Sequence, residues 1–141
     1  PFIRDPVGEG PNFLFNYTYA IIRAMTARAL VCAGLLPALG IHHRNQYNAY
    51  CLADDIMEPY RPFGDALVMS VLRKINAGEE IELNKETKSQ LLGIGVADVT
   101  LRKQTSPLMV ALTHTAVSLV KCLEGERKTL EYPSFPGHAA F

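Results

Sequence analysis

The sequence predicts an all-α domain, interrupted by one short strand or hairpin near 96–101. Three observations carry this. Apolar residues return every third or fourth position across 13–33, 63–76 and 106–123, the period of a helix with one buried face. Glycine and proline fall at the joins, as at Gly34, Pro37, Gly40, Gly78 and Gly125. Alternation with β-branched residues, the mark of a strand, is confined to 96–101. At 141 residues the chain fits one domain with a core large enough to fold.

Residues 1–11 (PFIRDPVGEGP) read as a Pro/Gly-rich lead-in, and Asn12 after Pro11 is placed as a helix N-cap. Tyr17, Ile21 and Met25, flanked by Leu14, Ile22 and Leu30, stripe the first helix, which Gly34 ends. The connection 35–44 is turn-rich. A second helix is expected to begin between Tyr47 and Cys51. Pro59 disturbs it by removing a backbone donor, and Pro62 suits the first turn of the next helix. Leu67, Val71, Leu72 and Ile75 stripe that helix as far as Gly78. Asn84 caps a short helix to Leu92, and Ser106-Pro107 opens the last helix, which runs to about Leu123. The expected organisation is a lead-in at 1–11, a helical domain at 12–131 and an irregular tail at 132–141. The absence of an initiator Met before Pro1 suggests a piece of a longer protein.

Hydrophobic content of 48% and charged content of 20% are ordinary for a globular domain. The formal net charge is zero, so contact with nucleic acid or a membrane surface requires a local basic patch. Cys32, Cys51 and Cys122 are odd in number and widely spaced, which points to buried thiols in a reducing compartment. The apolar stretch 29–39 is too short to span a bilayer and is broken by Gly34 and Pro37. No membrane partner and a cytoplasmic location are expected.

The segment 41–62, IHHRNQYNAYCLADDIMEPYRP, concentrates titratable groups. On a helix, Asp55 and Glu58 lie three apart and Asp54 and Glu58 four apart, which puts each pair on neighbouring turns of one face. Carboxylates that close repel, and a divalent cation between them relieves the strain. His43 arrives from the preceding loop with a nitrogen. Oxygen donors with one imidazole suit Mn²⁺ or Mg²⁺ better than Zn²⁺. Such an ion polarises a phosphoryl oxygen. The plain alternative is a solvated helix face, with Asp54 and Asp55 favoured by the helix dipole and both histidines exposed.

The surrounding words narrow the choice. GPNFLFNYTYAIIRA (10–24), AGLLPALGIHH (33–43) and LADDIMEPYRPFGD (52–65) occur in this order and spacing in one family. The chain resembles the CRISPR-associated spacer-acquisition integrase and endonuclease, the first-numbered Cas protein, in its type II form. TSPLMVALTHTAVSLVKCLEG and LEYPSF extend the likeness to nearly the whole chain. The resemblance implies a helical catalytic lobe that holds Mg²⁺ or Mn²⁺ and inserts spacers by attack of a 3′ hydroxyl on a phosphodiester. It matches the metal-binding histidine to His43 and the D-x-x-D/E pair to Asp55 and Glu58, with Glu58 the direct ligand and Asp55 binding the ion or orienting its waters. Asp54 falls outside the pattern. Implied partners are DNA (protospacer and CRISPR array), a second copy in the full-length parent, and a small second-numbered Cas protein bridging two dimers.

The chain departs from the family in three ways. The glutamate ligand of an earlier helix and the N-terminal β-rich domain have no counterpart here, since Asp5 and Glu9 lie in no matching context. Gly64 stands where the family has an aliphatic residue before the aspartate matching Asp65. Weak metal binding and little activity are expected of this segment alone.

Arg61 follows the acidic cluster and either grips a phosphate or pairs with Asp65 or Glu58. Asn16, Tyr19, Ala20, Arg23 and Ala27 trace a polar-to-small stripe that lines a site floor or serves helix packing, with Asn16 and Arg23 as donors to carboxylate or phosphate. Arg44 is placed as a DNA-backbone contact, with Arg73 and Lys74 more distant ones. His42 and His114 are assigned structural roles, His114 as a partly buried imidazole. Two rival readings remain: a non-catalytic helical interaction module, and a stand-alone metal-dependent phosphohydrolase.

Overall fold

The computed structural model describes residues 11–75 and 81–135. The lead-in 1–10 and the tail 136–141 lie outside the described residues, as does the expected helix end at 76–78. Helix α1 (Asn12–Cys32) is a run without glycine or proline. Pro11 takes the N-cap place expected for Asn12, its carbonyl accepting from the Leu14 amide at 3.0 Å. The proline φ of −71° is already helical, which draws the start one residue earlier. At the other end, Gly34 adopts a φ of +82°. The Gly34 and Leu35 amides turn back onto the carbonyls of Val31 and Leu30 at 3.0 and 2.9 Å.

After the loop come α2 (Cys51–Met57), a single 3₁₀ turn (Glu58–Tyr60) and α3 (Arg61–Lys74). Pro59 lacks the amide that would continue α2, and Pro62 sits in the first turn of α3, so the chain bends between them. Helix α3 closes at Lys74, before the expected 76, because Ile75 is extended. Helix α4 (Lys85–Leu92) is capped by Asn84, whose side chain accepts from the Thr87 amide at 3.0 Å.

Of the short strand or hairpin expected near 96–101, the structure forms the hairpin, displaced toward the C-terminus. Residues Gly93–Val96 close into a 3₁₀ turn, which delays β1 (Asp98–Leu101). Its antiparallel partner is β2 (Gln104–Pro107), with Val99 opposite Ser106 and Leu101 opposite Gln104. The connecting residues Arg102 and Lys103 both have positive φ, 51° and 65°. That backbone shape usually carries Asn or Gly, so the sequence holds no hairpin signal here. Ser106 and Pro107 finish β2 rather than open the helix, and α5 runs from Leu108 to Leu123.

Helix α1 is central. Its first half packs Leu14 and Phe15 with Val68, Val71 and Leu91 of α3 and α4. Its second half packs Ile22 and Leu30 with Leu52, Ile56, Leu108 and Leu112 of α2 and α5. Gly64 presses against α1, where an added Cβ would lie 3.0 Å from Ile22 Cδ1. Even a methyl group there would require the Ile22 and Thr18 side chains to give way.

Residues 131–135 are irregular apart from one bridge and are tied down. Thr115 Oγ1 donates to the Glu131 carbonyl at 2.6 Å, and the Ser134 amide donates to the Thr100 carbonyl at 3.0 Å. The Phe135 ring meets Phe63 edge-on at 5.0 Å. Glu131 is buried and ion-paired to both Arg102 and Arg127. Two expectations are corrected. Cys51 is buried, but Cys32 is exposed, because it ends α1 at the surface. His114 is exposed as well, on the outer face of α5. Among the described residues no helix is long and apolar enough to cross a membrane.

Tyr60 is fully buried, and its hydroxyl lies 2.6 Å from Thr115 Oγ1. Thr115 spends its proton on Glu131, so Tyr60 is the donor in this pair. Burial pushes the Tyr60 pKa up, against a smaller opposing effect of Thr115. An unfolded tyrosine ionises near 10.0 while the buried one resists, so this residue's contribution to stability is full below that pH and falls as pH rises above it. Tyr60→Phe is expected to cost about 1 kcal/mol at neutral pH. It should also flatten the alkaline loss of stability, as read by urea unfolding from pH 7 to 11.

Candidate active site

The loop between α1 and α2 folds back on itself before α2 begins. The Leu52 amide donates to the Pro37 carbonyl at 2.7 Å, which fixes the start of α2 against the loop's first turn. Gly40 allows the close approach. A Cβ there would sit 2.2 Å from the His43 carbonyl oxygen and 2.7 Å from Cys51 Cβ. Further along, the triplets Asn45-Gln46-Tyr47 and Asn48-Ala49-Tyr50 make the same turn twice. Each asparagine Oδ1 accepts the amide two residues on, at 3.0 and 2.9 Å.

Asp55 holds the histidine part of this loop. Its Oδ2 accepts the Ile41 and His42 amides at 2.6 and 2.8 Å, and its Oδ1 accepts the His43 amide at 3.1 Å. The same Oδ1 lies 2.5 Å from His43 Nδ1. Burial alone would push the Asp55 pKa up, but the His42, His43 and Ile41 hydrogen bonds together hold it below the usual carboxylate range. With Nδ1 engaged, the Nε2 of His43 is the nitrogen left for a ligand.

Asp54, next along α2, receives Arg23 Nε and Nη2 at 2.6 Å each and Asn48 Nδ2 at 2.7 Å. Burial again works against ionisation, and the Arg23 and Asn48 hydrogen bonds overcome it. Glu58, in the 3₁₀ turn, takes Arg61 Nη1 at 2.8 and 3.1 Å on its two oxygens and keeps half its side chain in solvent. Arg61 in turn lies 4.4 Å over the Tyr19 ring. The Tyr19 hydroxyl donates to Asp65, and burial followed by this bond raises its pKa.

These groups border one pocket of about 330 Å³, lined by Asn16, Tyr19, Ala20, Arg23, His43, Asp54, Met57, Glu58 and Arg61. Of the residues singled out from the sequence, His43, Glu58, Arg61, Arg23 and Asn16 meet there. Asp55 stands one step behind His43 and does not line the pocket, because both of its oxygens are spent on the loop. Ala27 is buried in the core, and Arg44 is exposed but not on the pocket wall. His42 is exposed and meets His43 edge-on at 5.7 Å. Arg61 pairs with Glu58, one of the two partners foreseen. Asn48 and the Tyr19–Asp65 bond were not foreseen. The doubled Asn-x-Tyr triplet was the available signal for Asn48.

A divalent cation would find two donors on this pocket: the His43 Nε2 and the half-exposed Glu58 carboxylate. Among the described residues no group of three or more His, Cys, Asp or Glu comes together to hold a metal ion. The donor types fit a hard ion, and the donor number is that of part of a site.

The family described as CRISPR associated protein Cas1 matches residues 3–93, and the chain belongs to that family. A CRISPR-associated endonuclease Cas1 of Neisseria meningitidis serogroup C is 36% identical over 101 residues, covering 72% of this chain and 33% of the relative. One of the Cas1 endonucleases of Pyrobaculum aerophilum is 35% identical over 120 residues, covering 85% and 38%. The chain thus spans little more than a third of the length of these relatives. A solved casposase bound to its integration product shares the fold, with a TM-score of 0.72 at 16% identity, over 92% of this chain and 44% of that one.

Asp55→Ala is expected to destabilise the domain by about 2 kcal/mol, since it strands three loop amides and the imidazole. Amide exchange at 41–43 should accelerate before that of α5. In Gly40→Ala the same amides are expected to lose protection, because the loop must open to admit the methyl group. Thermal melts and exchange spectra of the two variants check both outcomes.

Proposed function

We propose that this chain is the helical catalytic lobe of a metal-dependent DNA integrase and endonuclease of CRISPR adaptation, acting in the cytoplasm on protospacer and array DNA. The observation that carries the proposal is the pairing of His43 and Glu58 on one pocket, with His43 oriented by Asp55, inside a segment of the Cas1 family. His43 Nε2 and Glu58 would hold Mg²⁺ or Mn²⁺, together with the glutamate of an earlier helix that the family resemblance implies. Such an ion, when bound, would supply charge stabilisation to the reacting phosphodiester.

The residues of this chain orient and balance. Asp55 sets the His43 tautomer, which keeps Nε2 unprotonated toward the pocket. Arg61 holds the Glu58 carboxylate and, from its place over Tyr19, adds positive charge beside the phosphate. Asn16 offers a neutral donor from α1. Arg44, exposed on the loop, meets the DNA backbone outside the pocket. A 3′ hydroxyl of the spacer then attacks a phosphodiester of the array, and the 3′ oxygen of the broken strand leaves. Positioning supplies much of the rate. In the complete protein the assembly is a pair of dimers bridged by the small second-numbered Cas protein.

In the complete protein, His43→Ala and Glu58→Ala are each expected to slow integration by about 100-fold or more, with the fold intact. Asp55→Asn should slow it by about 10- to 100-fold, as the loss of a residue that orients a metal ligand does. EDTA is expected to abolish the reaction and Mn²⁺ or Mg²⁺ to restore it. The measurement is strand transfer of a labelled prespacer into a repeat-bearing plasmid. Retained integration in His43→Ala or Glu58→Ala removes that residue from the ligand set.

A further inference from the structure

Asp54 and Asp55 are neighbours on α2, yet they reach in different directions. Asp55 grips the loop at 41–43. Asp54 grips Arg23 of α1 side-on, through Nε and Nη2 at 2.6 Å each. Asn48 closes the arrangement: its Nδ2 donates to Asp54 at 2.7 Å and its Oδ1 accepts from Arg23 Nη2 at 3.1 Å. The same Oδ1 takes the Tyr50 amide at 2.9 Å, and the Tyr50 ring lies 5.0 Å from the guanidinium carbon. Three segments, α1, the loop and α2, are therefore joined at one wall of the pocket.

A guanidinium bound by two nitrogens to a carboxylate has most of its charge balanced. A phosphate reaching it would have to displace Asp54 and leave that partly buried acid without its partner. Arg23 is thus poorly placed to grip DNA directly. Its geometry suits a strut.

We propose that Asp54, Arg23 and Asn48 form a positioning brace that fixes residues 44–50 of the histidine loop and, through them, the imidazole of His43. The two adjacent aspartates divide the loop between them, Asp55 holding its first half and Asp54 its second. The consequence for metal binding rests on the proposed role of His43, but the brace itself does not.

The test is amide exchange by NMR in the 141-residue chain, read at Tyr47, Asn48 and Tyr50. Arg23→Gln and Asp54→Asn are each expected to speed exchange at these amides by about tenfold, with the double variant no faster than either single, as members of one network behave. Amides of α5 serve as the internal control. Asn48→Ala, which keeps both charges, should loosen the same three amides, and it decides the matter if a charge variant loses protection in α5 as well. Unchanged exchange in Asn48→Ala, or effects of Arg23→Gln and Asp54→Asn that simply add, would overturn the brace.

A second readout separates the brace from the functional reading. In the brace, Arg23→Gln raises about tenfold the Mn²⁺ concentration that broadens the His43 ring resonance. If the complete protein shows no Mn²⁺ effect at His43, the metal reading fails while the exchange data still decide the brace. A third follows from the phosphate alternative. Tighter DNA binding by Asp54→Asn in the complete protein would show that the freed Arg23 grips phosphate, and would overturn the assignment.

Discussion

The burial of α1 is the constraint on which the other elements depend. Leu14, Ile22 and Leu30 have no exposure at all, and each such side chain contributes about 1.5–3 kcal/mol by leaving water. Thr18 and Thr26, equally buried, return their hydroxyls to the carbonyls of Leu14 and Ile22 at 2.8 Å. A helix with small, internally satisfied polar residues at its crowded positions lets its neighbours approach closely. Gly64 of α3 takes that opportunity. Because Asn16, Tyr19, Ala20 and Arg23 project from the same helix into the pocket, core packing also sets the position of the site floor.

The electrostatics of the pocket follow from pairing. Arg23 is balanced by Asp54, Arg61 by Glu58, and Asp55 by three amides and an imidazole. Each of the three carboxylates has donors of its own, so the like-charge repulsion suggested by their spacing is eased within the protein. If a divalent ion binds as proposed, a pocket balanced in this way would tip positive, which would suit an anionic phosphodiester.

Much of the fold was legible in the sequence because helices announce themselves through period and punctuation. The stripe of α1, the Asn84 cap and the proline bend between α2 and α3 are local properties, and local properties are what a pattern records. The hairpin was only half legible, since Arg102 and Lys103 adopt left-handed backbone without the residues that normally mark it. The pocket residues His43 and Glu58 could be picked out by family likeness. The turning of Asp55 toward the loop could not, because it depends on the direction of three amides that no spacing rule encodes. Likewise, the exposure of His114 and Cys32 reflects which face of α1 and α5 meets the core, a tertiary fact on helices apolar over much of their circumference.

One junction has a mechanical consequence. Strand β2 ends at Pro107 and α5 begins at Leu108, with no residue between them to act as slack. The Leu108 amide is bonded to the Ala97 carbonyl at 2.9 Å, and proline stiffens the joint further. The hairpin and α5 are therefore joined directly, without slack between them. A force applied at the Arg102–Lys103 tip would be delivered as torque along α5, and from there to the long helix it lies against.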